Sequence, residues 1–320
     1  MNVSITPTPY TLCTIPFQEY IFISIQVLLL LSNLLGNSLC IAVLARHRAL
    51  NLATRLFLTS MTSCDLIIAL TIQIPILGMT LYRAIVSVCR WPFGIITCYI
   101  NGLMFDTLLT AGSFSIFAVN VDRFIAVIRP LRYHDIVTDF RAKICVVIIW
   151  LNACVCATVL GLVPGRTIAF YPRYSMCRSN NAGLQVADAQ RAIWILTGVL
   201  GPLILTVMMC VKVFAVARRH RRQISAQTHD QQPQNKRNHK AFVTCFLMTG
   251  FLLLSTLPII LDAVVACITG VYMPQIVGTI AMQMLNTYCT TNFVIYYARN
   301  QDFRGETKAL IARLNILRGH

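Results

Sequence analysis

Residues 20–45 read YIFISIQVLLLLSNLLGNSLCIAVLA, without an Asp, Glu, Lys or Arg. An α-helix rises 1.5 Å per residue, so about 20 apolar residues cross the roughly 30 Å hydrocarbon core of a bilayer. The rest of the chain agrees with that reading. Of 320 residues 57% are hydrophobic and 12% charged, with a mean hydropathy of +0.68, which leaves too little polar surface to cover a water-soluble domain. The same criterion, a run of that length with at most one or two ionisable groups, marks six further spans near 54–81, 97–128, 142–163, 190–217, 240–268 and 276–298. The expected fold class is all-α, a bundle of seven transmembrane helices.

An odd number of spans puts the termini on opposite sides, and Lys and Arg in short loops mark the cytoplasmic side. Of the 27 basic residues, only Arg83, Arg90, Arg166, Arg173, Arg178 and Arg191 fall on one side; all the others fall with the C-terminus. The C-terminus is therefore expected in the cytoplasm and the N-terminus outside a plasma-membrane protein. The net charge of +16 then needs no nucleic acid, because it is divided among loops facing anionic lipid and an acidic cytoplasmic partner. The first residues lack the basic start and small-residue cleavage site of a signal peptide, so the first span reads as an uncleaved signal-anchor. Asn2-Val3-Ser4 is a glycosylation sequon on the expected outer face.

The chain divides into an extracellular segment 1–19, a membrane domain 20–298 and a cytoplasmic tail 299–320. Among the connections 164–189 and 218–239 are long; the second, rich in Gln, Asn and Arg, has no apolar periodicity and is expected to be mobile. In the tail, Phe303, Ala309, Leu310, Leu314 and Leu317 share one helical face and Arg304, Lys308, Arg313 and Arg318 lie mostly elsewhere, the pattern of a short amphipathic helix on the inner membrane surface. The tail offers only Thr307 as a hydroxyl, so arrestin recruitment through phosphorylation would fall mainly on Ser225 and Thr228.

Ionisable groups inside a membrane cost roughly 2.5 kcal/mol or more, so Asp65, Asp106 and Asp122 each invite a functional reading. Asp122-Arg123-Phe124 ends the third span and is followed by Ile128-Arg129-Pro130-Leu131-Arg132-Tyr133. This resembles the Asp-Arg-Tyr motif and the Pro-Leu loop of rhodopsin-like G-protein-coupled receptors. A carboxylate beside a guanidinium at a helix end forms either a local lock that holds the arginine from a partner or an ordinary surface pair worth at most about 1 kcal/mol. Further landmarks occur in the family's order: Gly36-Asn37, Asp65, Trp150, Pro202, Pro258, and Asn292-Phe293-Val294-Ile295-Tyr296, which is similar to Asn-Pro-x-x-Tyr.

The resemblance implies an extracellular ligand, a heterotrimeric G protein as partner, and a coupling face built on Asp122, Arg123, Phe124, Pro258, Asn292 and Tyr296. It implies a disulfide between Cys98 and Cys177, tying the long outer connection over the third helix; Cys13 and Cys89 also lie on the outer side. It implies that Asn37, Asp65 and Asn292 converge on a polar pocket, which in the family can hold a sodium ion. The alternative there is a water-filled network without an ion, since Gly112 stands where the family usually offers a serine. Three further departures affect the inner activation relay: Thr256 stands where a tryptophan is usual, Phe293 replaces proline, and Cys210 replaces a tyrosine.

Amine receptors place an aspartate eighteen residues before the arginine, where this chain has Phe105; the acid is Asp106, about 100° away on a helix. Asp262, one turn beyond Pro258, is a second acid, and Thr256 stands two residues before that proline. These residues form the candidate ligand site. Either the two acids favour a cationic small molecule or basic peptide, or Asp262 pairs with Arg191 or another outer arginine and Asp106 bonds within the bundle. Residues 276–298 contain no lysine for a retinal Schiff base, which disfavours an opsin. The stretches 130–138, 240–245 and 296–300 resemble olfactory-type chemosensory receptors, so an odorant is one expected ligand. A transporter would show inverted repeats with broken helices. An enzyme would show paired catalytic groups or a metal-ligand motif; the scattered aspartates supply neither, and no metal or cofactor is expected.

Overall fold

The computed structural model describes residues 18–46, 50–87, 91–161, 167–171, 176–180, 195–224, 232–269 and 274–318. Asn2, Cys13, Cys89, Arg191, Ser225 and Thr228 lie outside them.

Seven long helices form the bundle: α1 (Gln18–Arg46), α2 (Leu52–Val86), α3 (Gly94–Ile128), α4 (Asp139–Gly161), α5 (a π-helical start Ile195–Leu200 continued by Gly201–Ile224), α6 (Gln232–Thr269) and α7 (Gln275–Arg299). An eighth, α8 (Gln301–Arg318), follows directly. The first five are apolar and long enough to cross a membrane. α7 is more polar because it carries Gln283, Asn286, Thr290 and Asn292 inward. Leu28, Leu35, Ile85, Ile96, Leu151 and Leu254 point outward and are exposed, an apolar belt that water would not tolerate and lipid does. Thr71, Thr80, Thr107, Thr110, Ser113 and Thr206 return their hydroxyls to the carbonyl four residues back, which keeps each polar group satisfied within its own helix.

α3 is the central and most buried helix. α2 packs on it across a hydroxyl junction where Ser60 and Ser115 lie 2.9 Å apart and Trp150 of α4 donates its indole N–H to Ser60 at 3.0 Å. Gly36 in α1 lets α7 approach: a Cβ there would meet the Phe293 side chain at 3.2 Å. Phe293 supplies the backbone N–H that a proline would lack, and α7 runs without a break.

α2 is re-phased in the middle by a π-helical turn, Ala69–Gln73, just before Pro75. Pro75 has no N–H for the carbonyl of Thr71. Asn101 of α3 fills the gap, donating Nδ2–H to the Thr71 carbonyl at 3.1 Å, while its Oδ1 accepts the backbone N–H of Cys177 at 3.4 Å.

Between α4 and α5 the structure adds a feature that apolar periodicity did not mark. Strands β1 (Thr167–Tyr171) and β2 (Met176–Asn180) pair antiparallel, with Phe170 opposite Cys177. The Cys98–Cys177 disulfide forms, with Cα atoms 5.2 Å apart, and pins β2 to the first turn of α3. Beside it Trp91 packs against Phe93 and Phe170 and donates to Thr97 at 2.9 Å. Gly94 opens α3 at φ +82°, a conformation in which a side chain would be strained.

Two expectations are corrected. The run 218–239 is helical up to Ile224 and again from Gln232; its Arg, Gln and Lys residues are good helix formers, and a helix already nucleated in the membrane extends through them at little cost. Among the described side chains of α8, Phe303, Thr307 and Leu310 are buried whereas Ala309 is exposed; Leu314 and Leu317 lie outside them. Helix 7 ends at Asn300, whose Oδ1 accepts the N–H of Phe303 at 3.2 Å and so caps α8.

Candidate functional site

Three groups of residues lie along the bundle, one at each end and one midway. At the end of α3, Asp122 is buried within a closed set of donors. Arg123 donates to Oδ2 through Nε at 3.0 Å and Nη2 at 2.5 Å, Thr54 of α2 donates to the same oxygen at 2.8 Å, and Tyr133 donates to Oδ1 at 2.6 Å. Arg123 also reaches the Thr54 hydroxyl. Burial and the adjacent Asp122 carboxylate push the Tyr133 phenol above its ordinary value, so it stays a donor at neutral pH. This is no exposed surface pair: Asp122 is 1% exposed, and a carboxylate in that setting is costly unless all its partners are present. Thr54 and Tyr133 were not singled out from the sequence.

Phe124, next in the motif, turns the other way and packs with Val127 on Cys210 and Val213 of α5 and Val243 of α6. One turn earlier, Asn120 donates Nδ2–H to the Thr249 hydroxyl of α6 at 3.2 Å and accepts the Cys210 thiol of α5 at 3.6 Å. Tyr296 is buried against Phe303, ring centroids 5.9 Å apart. Pro258 sits inside α6, and Arg299 at the end of α7 donates to Thr244 of α6 at 3.3 Å.

Midway, Asn292 donates to Asp65 Oδ2 at 2.7 Å. Asn37 does not join them as expected. Its amide is drawn to Asn33 Oδ1 at 2.5 Å and to the Cys289 carbonyl at 2.9 Å. Asn33 in turn donates to Gln73 Oε1 at 3.3 Å, and Gln73 to Asn286 Oδ1 at 3.1 Å. A row of buried amides thus links α1, α2 and α7, and sequence inspection limited to charged groups passed over three of its members. Two amide oxygens, Asn37 Oδ1 and Asn292 Oδ1, are buried without a hydrogen-bond partner. Only the second of these oxygens belongs to a side chain bonded to Asp65, and Gly112 adds no hydroxyl beside it.

At the disulfide end, Phe105 is buried in an apolar cluster with Ile72, Ile76, Leu108, Met282 and Leu285, into which β2 inserts Met176. The position where amine receptors carry their acid is therefore part of an apolar floor. Asp106 beside it is half-buried, and Asp262 on α6 is fully buried. Thr256 is buried with its hydroxyl on the Leu252 carbonyl at 2.7 Å, so that group serves its own helix.

With this geometry in view, comparison with known proteins is decisive for the class. The family described as 7 transmembrane receptor (rhodopsin family) matches residues 36–296. The chain belongs to the rhodopsin family of G-protein-coupled receptors. It is 26% identical over 283 residues to the histamine H2 receptor of Homo sapiens, covering 88% of this chain and 76% of the relative. It is 24% identical over 325 residues to the adenosine receptor A2b of Mus musculus, covering 92% and 91%. A shorter match, 32% over 127 residues, covers 40% of this chain and 33% of the growth hormone secretagogue receptor type 1 of Oryctolagus cuniculus. The protein is thus a multi-pass membrane receptor, not an enzyme, that takes an extracellular ligand and couples to a heterotrimeric G protein.

Proposed function

We propose that the receptor presents its disulfide end outward and its Asp122–Arg123 end to the cytoplasm, and that ligand binding releases Arg123 from Asp122, Thr54 and Tyr133 to engage the G protein. The asymmetry of the basic residues supports the orientation. The observation that carries the switch is the burial of Asp122 within four donor contacts, which keeps the arginine turned inward while the bundle is closed. A ligand shifts this equilibrium only by its preference for the open form. Arg123→Ala should abolish G-protein activation while surface expression and ligand binding stay near wild type. Normal activation by that variant would sink the switch.

The ligand we propose is a cationic small molecule or basic peptide with an apolar body. Asp106 and Asp262 supply the acidic groups, and the cluster around Phe105 and Met176 supplies the apolar floor. The names of the relatives, a histamine, an adenosine and a growth hormone secretagogue receptor, favour this over the chemosensory reading. A panel of amines and basic peptides should yield an agonist whose potency falls about tenfold or more with Asp106→Asn or Asp262→Asn, the loss expected for a charge-assisted hydrogen bond. An odorant agonist indifferent to both substitutions would reverse the choice. We propose further that Asp65 and Asn292 are the residues that would hold a sodium ion, which would supply the buried carboxylate with a positive charge that it has from no ion pair among the described residues.

A further inference from the structure

α6 leans chiefly on α7 along its length and is joined to it again by Arg299 and Thr244. Against α3 and α5 its packing is thin. That seam is where the bundle can part, and one polar side chain lies across it. Asn120 is buried, and both amide N–H groups are engaged, one with the Ile116 carbonyl of its own helix at 2.8 Å and one with Thr249 of α6 at 3.2 Å. Its oxygen accepts the Cys210 thiol of α5 at 3.6 Å. Thr249 and Cys210 are buried too.

We propose that Asn120 is the positioning residue that holds the α3–α5–α6 seam shut without ligand, a role that rests on the activation reading above. Its bond to the own-helix carbonyl fixes the amide plane, so that the remaining N–H meets α6 while the oxygen meets α5. Separating α6 takes the acceptor from one Asn120 amide N–H in a dry interior, and a buried donor without an acceptor is disfavoured. The apolar patch of Phe124, Cys210, Val213 and Val243, one turn nearer the Arg123 end, seals the same seam without directional preference. Cys210 therefore takes part in closure from the place where the relay tyrosine was expected.

The test uses Thr249→Val, which keeps the shape and removes the hydroxyl, and Thr249→Ser, which keeps the hydroxyl. The full-length receptor is reconstituted in lipid nanodiscs with a panel of G proteins and assayed for ligand-free nucleotide exchange. Spin labels on non-native amino acids at the exposed positions Phe140 and Phe246 report the distance between α4 and α6. Thr249→Val and Asn120→Ala should each raise ligand-free exchange about fivefold and populate a longer label distance, the change one neutral hydrogen bond controls. Together they should do no more than either alone, and Thr249→Ser should match wild type. Unchanged distances in Thr249→Val, or a Thr249→Ser variant that opens equally, would overturn the proposal. A distance shift without any nucleotide exchange would uphold the latch and count against G-protein coupling instead.

Discussion

Asp122 binds Arg123 and Thr54 through one oxygen and Tyr133 through the other, so Tyr133 is the donor whose hydroxyl can be removed without touching the Arg123 and Thr54 bonds. Tyr133→Phe deletes a hydroxyl and leaves the ring where it packs. The closed state should lose about 1 kcal/mol, so ligand-free nucleotide exchange at matched surface expression should rise about fivefold; no rise would show that Tyr133 merely fills space. The Asp122–Arg123 pair was legible because the two are neighbours in sequence. Thr54 lies 68 positions from Asp122, and its role exists only once α2 and α3 have packed. Asn33, Gln73 and Asn286 left a signal that went unweighed. An amide inside an apolar span also has to find partners, and several amides in separate spans find them most readily in one another.

At the scale of elements, the seven spans were plain from length and hydrophobicity, because in lipid the backbone has almost no alternative to helix. What the pattern could not show is how a helix departs from regularity. Pro75 announces a disturbance in α2, but only the position of Asn101 shows how it is accommodated and why it reaches the β-hairpin. Asn101→Ala strands the Thr71 carbonyl and the Cys177 N–H together, and thermal unfolding of the purified receptor should show a loss of about 1–3 kcal/mol. An unchanged melting temperature would mean that other groups compensate. The hairpin itself escaped because its short strands are fixed by a disulfide rather than by periodicity. On α8, Thr307 is buried with its hydroxyl on the Phe303 carbonyl at 2.7 Å.

At the scale of the whole molecule, the bundle has a disulfide-closed end, an arginine-locked end and a polar middle joining α1, α2 and α7. A cation bound at Asp65 and Asn292 would favour the form whose oxygens face it, and any ligand of the folded state raises its stability by mass action. Replacing choline chloride by sodium chloride should raise the melting temperature of the purified receptor by about 1–2 °C, the shift about 1 kcal/mol produces in a chain of this size. Asp65→Asn should erase that difference. Equal melting in both salts for the wild-type chain would leave the pocket to hydrogen bonds alone.

The row from Asn37 through Asn33 and Gln73 to Asn286 consists of carboxamides, the first three each donating an N–H to the oxygen of the next in the same sense around the bundle. Carboxamides neither gain nor lose a proton between the neutral cell surface and an acidified vesicle. A receptor carried inward after stimulation would therefore keep these three helices fastened together as the compartment acidifies. Whatever acid changes in its behaviour would have to act elsewhere, at groups that titrate.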